Sequence, residues 1–147
     1  MVKSGKFFII GAALLFVFGI MIAGQGTANA HEAVLIKISS VGAEKITGIS
    51  INPQVATIKK DTIVVWLNGV QDQEIKVEFA DGKKCKSVTA YPVNFDLDTA
   101  RWCYVTSYVP FAATSSLQFV DVGTYEYTVL TKDGAIKASG KIVVKNK

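Results

Sequence analysis

Apolar and polar residues alternate through residues 123–144, GTYEYTVLTKDGAIKASGKIVV, as far as Asp133 and Gly134 and again beyond them. Alternation with a period of two on both sides of an Asp-Gly pair predicts a closing β-hairpin that buries one face. The same rhythm runs earlier in the chain. Residues 33–39 put Val34, Ile36 and Ile38 on one side and Leu35 and Lys37 on the other, a first strand with one buried face. Residues 40–43 make a turn and 46–51 a short second strand, interrupted at Asn52 and Pro53 because proline cannot donate to a ladder. Residues 56–58 lead to the polar corner Lys59, Lys60 and Asp61. Residues 62–67 follow as a nearly continuous β-branched and aromatic run, which marks a central strand.

Asn68 and Gly69 close that run. After a polar loop at 71–73, Ile75, Val77 and Phe79 alternate with Lys76 and Glu78, and Asp81 with Gly82 turns the chain. The rhythm then loosens. Residues 84–90 are compatible with a strand, 91–99 read as a loop or short helical turn, 101–109 as an aromatic-rich strand ended by Pro110, and 115–120 as a further short strand. Roughly eight or nine short strands separated by Gly, Asp and Pro turns predict an all-β sandwich of Greek-key type.

The first 30 residues depart from this pattern. Lys3 and Lys6 precede an apolar run over 7–23, a polar stretch follows over 25–29, and Ala28 and Ala30 bracket Asn29 in the A-x-A arrangement that signal peptidase accepts. The expectation is a signal peptide over 1–30, cleaved to leave His31 first, and one domain over 31–147, periplasmic or extracellular. Left uncleaved, the run is near the length of a membrane anchor and would hold the domain at the inner membrane. Without Lys3 and Lys6 the 16 basic residues fall to 14 against 12 acidic ones, a net charge of +2. That balance gives neither a nucleic-acid stripe nor a strong field at a membrane surface. No nucleic-acid partner is expected, and membrane contact only through an uncleaved leader.

Two stretches resemble the cupredoxin family. In 53–68, PQVATIKKDTIVVWLN, a proline, a strand and a turn ending in aspartate precede a strand that ends in tryptophan and asparagine, with Lys60 where the family usually has glycine. The second stretch is Gly123, Thr124, Tyr125 and Tyr127 with Gly140, Ile142 and Val144; bacterial immunoglobulin-like domains share a hairpin of this kind. The resemblance implies a cupredoxin-like β-sandwich, while residues 82–119 match no family pattern. It also implies a copper site of two histidines, a cysteine thiolate and a weak axial methionine. The first histidine belongs near Gln73 or Glu74, the cysteine where Val129 stands and the second histidine near Lys132. The chain has one histidine, His31, and no methionine beyond Met21. This inventory excludes a type 1 copper centre, and no cofactor is expected.

Cys85 and Cys103 are the only cysteines, and an oxidising compartment favours their pairing. A bridge between them would contribute about 3 kcal/mol. The rival reading is a reactive thiolate at Cys85, favoured by Lys83, Lys84 and Lys86. A mature N-terminal His31 offers an α-amino nitrogen and an imidazole to one metal. That arrangement resembles the histidine brace of lytic polysaccharide monooxygenases and the copper site of the CopC-like family, both of which need a second histidine. Copper at His31 would therefore need carboxylates or a second protein, and the plainer reading is a solvated terminus. Asn94, Asp96 and Asp98 offer too few oxygens for calcium.

Tyr91, Trp102, Tyr104, Tyr108 and Phe111 gather in the unmatched middle region. Such aromatics serve either a partner-binding face or core packing. No serine has a usable histidine beside it and no glycine loop is built to cradle phosphate. The expected function is a non-catalytic binding or structural module for a protein or cell-envelope component. The alternatives are a periplasmic copper protein using His31 and an immunoglobulin-like adhesion or assembly module.

Overall fold

The computed structural model describes residues 31–42, 45–79, 89–98 and 103–146, with the backbone alone at 97, 98 and 103. They form β1 (Ala33–Val41), β2 (Gly48–Asn52), β3 (Val55–Lys59), β4 (Thr62–Gly69), β5 (Ile75–Phe79), β6 (Thr89–Val93), β7 (Phe95–Asp98), β8 (Cys103–Thr106), β9 (Thr114–Phe119), β10 (Gly123–Thr131) and β11 (Lys137–Lys145). One sheet runs β2-β1-β4-β9-β6 and the other β3-β11-β10-β5-β8-β7. The fold is thus the all-β, two-sheet sandwich that alternation predicts. β1 and β4 pair in parallel, as do β3 and β11, and the other pairs are antiparallel.

The chain changes sheets at both sides of the sandwich. Between β2 and β3 it turns at Pro53, whose peptide bond with Asn52 is cis, and β2 lies beside β11 of the opposite sheet. Between β6 and β7 it turns at Asn94, whose φ is +55° and whose Nδ2 donates to Thr114 O at 2.7 Å. The sequence pattern predicts a loop or helical turn over residues 91–99. The described part of that span is instead the end of β6 and all of β7. The miss has a physical cause: β6 is an edge strand with a register shift between Ala90 and Val93 and buries only Thr89, so its alternation is lost.

β4 sits between β1 and β9, in the central place that its apolar run predicts. Its Val64 and Trp66 point into the core, and Ile63, Val65 and Leu67 are half-buried on the outer face. The Trp66 indole crosses to the opposite sheet and meets Phe79, Phe95 and Tyr127 edge-on, at centroid distances of 5.8, 5.4 and 5.6 Å. Edge-to-face contacts of this kind each add about 0.5–1.5 kcal/mol beyond burial. Phe79 continues the cluster to Phe119 at 6.1 Å.

Tyr127 lies opposite Gly140 in the β10–β11 ladder, with its ring laid over the glycine. A Cβ at Gly140 would come within 2.2 Å of that ring. In this buried place the ring has nowhere to retreat. Gly140→Ala is therefore expected to lower stability by about 1–3 kcal/mol through overpacking, read as a fall in the urea midpoint.

The Tyr127 hydroxyl is buried and finds no hydrogen bond of good geometry. Burial pushes its pKa up to about 12, against a smaller opposing pull from Trp66. The folded state thus favours the protonated phenol, a contribution fully present below the unfolded value near 10 and lost as pH rises from there through 12. Between pH 9 and 12 the native protein is expected to lose about 2–3 kcal/mol that Tyr127→Phe retains. Urea titrations of both proteins across that range check it; parallel losses would contradict it.

Candidate functional site

Asn68 ends β4 and is fully buried. A buried side-chain amide needs partners, and Asn68 has them on both sides. Its Nδ2 donates to Gln73 O and to Val109 O, each at 2.9 Å, and its Oδ1 accepts from Val70 N at 2.9 Å. Its backbone adds two more bonds: Ala112 N donates to Asn68 O at 2.7 Å, and Asn68 N donates to Ala113 O at 3.0 Å. One residue thereby ties the loop after β4 to residues 107–113, which link β8 to β9. Ile75 and Val109 bond reciprocally at 3.1 and 2.7 Å, and Ala113 N donates to Pro110 O at 3.1 Å. The loop is therefore held from beneath and displays its outer side chains in fixed places.

Those side chains are Tyr108, 43% exposed, and Phe111, 54% exposed. The Tyr108 ring lies between two cations, with Lys76 Nζ 5.7 Å and Lys132 Nζ 5.5 Å from its centroid. Lys76 pairs with Glu78 at 3.4 Å, and Lys132 with Glu74. The Glu74 carboxylate holds the Lys132 ammonium above the usual lysine range.

The cupredoxin resemblance expects its histidines near Gln73 or Glu74 and near Lys132, and Glu74 and Lys132 lie side by side. The fold brings them together: Lys132 N donates to Glu74 O at 3.0 Å, and their side chains form the ion pair. Val129 is buried in β10 and pairs with Val77 of β5.

The other candidates scatter. Tyr91 is 75% exposed with φ +48°, on the bulged edge strand β6. Tyr104 corrects the expected aromatic face: it is 9% exposed and packs edge-on against Phe95 at 6.4 Å, because β8 turns Tyr104 and Thr106 toward the core. Trp102 and Cys85 lie outside the described residues, as does the side chain of Cys103.

His31 is exposed, with its Nδ1 3.2 Å from Gln118 Nε2. That amide also donates to Asp61 O at 2.9 Å, so Nδ1 is the acceptor in the contact. Asp96 accepts from Ser107 Oγ at 3.5 Å. Among the described residues, no three of His, Cys, Asp and Glu come together as a metal-binding group. Asn68 is what sequence reading passed over. The sequence places it at a strand end and within the stretch that resembles the cupredoxins, and the signal for its structural role is an amide at the close of a buried run.

No family model and no curated protein matches the chain. Solved structures of amicyanin are similar to it. Amicyanin from Paracoccus versutus (Thiobacillus versutus) is 18% identical with a TM-score of 0.46, over 77% of this chain and 81% of that one. A copper(I) form of a methionine-to-alanine variant of amicyanin gives 18% and 0.46, over 77% and 82%. A reduced tryptophan-to-tyrosine variant gives 17% and 0.46, over 79% and 85%.

Asn68→Ala would leave Val70 N, Gln73 O and Val109 O without their side-chain partner. The expected loss of stability is about 2–4 kcal/mol, since Val109 O keeps Ile75 N as a donor while Val70 N and Gln73 O are left unpaired at about 1–3 kcal/mol each. Hydrogen exchange should accelerate at the Val70, Ala112 and Ala113 amides more than in the β10–β11 ladder. Uniform acceleration would refute the local anchoring role.

Proposed function

We infer that this chain is an exported, non-catalytic binding module, and that the displayed loop with Tyr108 and Phe111 meets its partner. The single observation behind this reading is the anchoring of that loop by Asn68. A rigid loop exposing two aromatic rings loses little freedom on binding, and aromatic anchors dominate the energetics of protein interfaces. The partner is a protein or another cell-envelope component in the periplasm or outside the cell. Cys85 and Cys103 form a disulfide in this reading, bracketing part of the same middle region.

A type 1 copper centre is no part of it. Where the resemblance expects ligands, the chain holds an ammonium paired with a carboxylate and the buried Val129. A protonated lysine has no lone pair for a metal, valine has no donor atom, and a lone carboxylate replaces neither imidazole nor thiolate, so this set does not fit a type 1 copper centre. Copper at His31 is the rival function. Chelation by a terminal amine and imidazole would use Nδ1, the atom that already accepts from Gln118.

Phe111→Ala is expected to weaken partner binding by about tenfold or more while leaving the urea midpoint unchanged, because the ring is exposed. A photocrosslinker at position 111, introduced into the chain in its native cells, identifies the partner; binding of that partner to both proteins then gives the ratio. Equal affinities would refute this use of the loop. Stoichiometric copper in the native protein, lost on His31→Ala, would favour the rival function.

A further inference from the structure

A separate groove opens between three loops of the sandwich. One lobe, of about 610 Å³, lies between Lys45, Ile46 and Thr47 on one side, Gln73 on another and the β10–β11 turn on the third. A second lobe, of about 240 Å³, shares Lys45, Ile46 and Gln73 and extends to Gln71 and Asp72. The combined space is within the range of ligand clefts, about 300–1,000 Å³.

The walls are built before any ligand arrives. Thr47 N and Oγ1 both donate to Val41 O, at 2.8 and 3.1 Å. In the hairpin turn, Gly134 N donates to Thr131 O at 2.8 Å and Thr131 N to Ile136 O at 3.0 Å. Asp133 Oδ1 accepts from Thr131 Oγ1 and from Ala135 N, which aims the carboxylate. Ile46 and Ile136, both half-buried, supply apolar surface.

Among the described residues, Lys45 and Asp72 have no ion-pair partner, and the Gln73 side-chain amide has no hydrogen bond. Charge is thus ordered along the groove: Asp133 in the larger lobe, Lys45 where the lobes join, Asp72 in the smaller. Among the described residues no aromatic ring lines either lobe, so they offer a sugar no stacking platform. The free amide suits a peptide bond, which offers both a donor and an acceptor.

We propose that this groove binds a short extended peptide segment that carries a basic residue on each side of an acidic one. The acidic side chain meets Lys45 and the basic ones meet Asp133 and Asp72. In an extended segment, alternate residues share one face about 6–7 Å apart, so the acidic residue and its two basic neighbours present their charges on one side. Their aliphatic stems cover Ile46 and Ile136.

The probe is the capped pentapeptide Lys-Val-Glu-Val-Lys, titrated calorimetrically into the full chain, with Glu-Val-Lys-Val-Glu as its charge-reversed control. The first should bind at least fivefold more tightly than the second. Lys45→Gln and Asp133→Asn should each weaken the first by about two- to fivefold, the range of an exposed ion pair. The asparagine keeps an acceptor for Thr131 and Ala135, and a circular-dichroism melt of each variant confirms the fold. The proposal is overturned if the two peptides bind equally, if neither binds at millimolar concentration, if both variants bind as the parent does, or if a neutral hexasaccharide binds more tightly than the first peptide.

Discussion

The contact of Trp66 with the opposite sheet is what the sandwich is built around. A sheet with one apolar face gains stability only when a second sheet covers it, and here one indole from β4 touches Phe79, Phe95 and Tyr127 on three different strands. The spacing of the layers follows from that ring. Gly140 has no side chain because Tyr127 needs the space beside Trp66, so a local absence on β11 serves a contact made by β4. The penalty is polar: the indole N–H and the Tyr127 hydroxyl are both buried without a well-formed hydrogen bond.

Two residues beyond Trp66, the same strand changes task. Asn68 has no apolar surface to offer, and its amide joins two loops that ring packing leaves free. The rigid core and the displayed loop are therefore successive positions of one strand, inward at Trp66 and inward again at Asn68, as a period of two requires. The Glu74–Lys132 pair and Tyr108 stand at this end of the molecule, where exposure makes ion pairs worth little to stability. Their arrangement bears on recognition more than on folding.

Strands that bury one face were legible from alternation alone. Ile36 and Ile38, Ile75 to Phe79, and the arms of the closing hairpin all declare their inward sides. Residues 91–98 did not, because an edge strand with a bulge exposes Tyr91, Pro92 and Val93 in succession. Tyr104 and Tyr108 look equivalent in sequence, yet Tyr104 lies in β8 and faces the core while Tyr108 lies beyond the end of that strand and is exposed. The role of Asn68 was hidden for a different reason. Two of its side-chain partners are backbone carbonyls, of Gln73 and Val109, and a carbonyl carries no trace of residue type.

The two parallel pairs set an order of events. β1 finds its inner neighbour only when β4 exists, and β3 gains β11 only when residues 141–145 are present. A chain made N-terminus first therefore keeps β3 unpaired on that side until residues 141–145 emerge. Pairing over such sequence distances is also slow. Incomplete chains of this protein expose a strand edge that the finished sandwich covers, and a chain cut before β11 leaves that edge open to other chains.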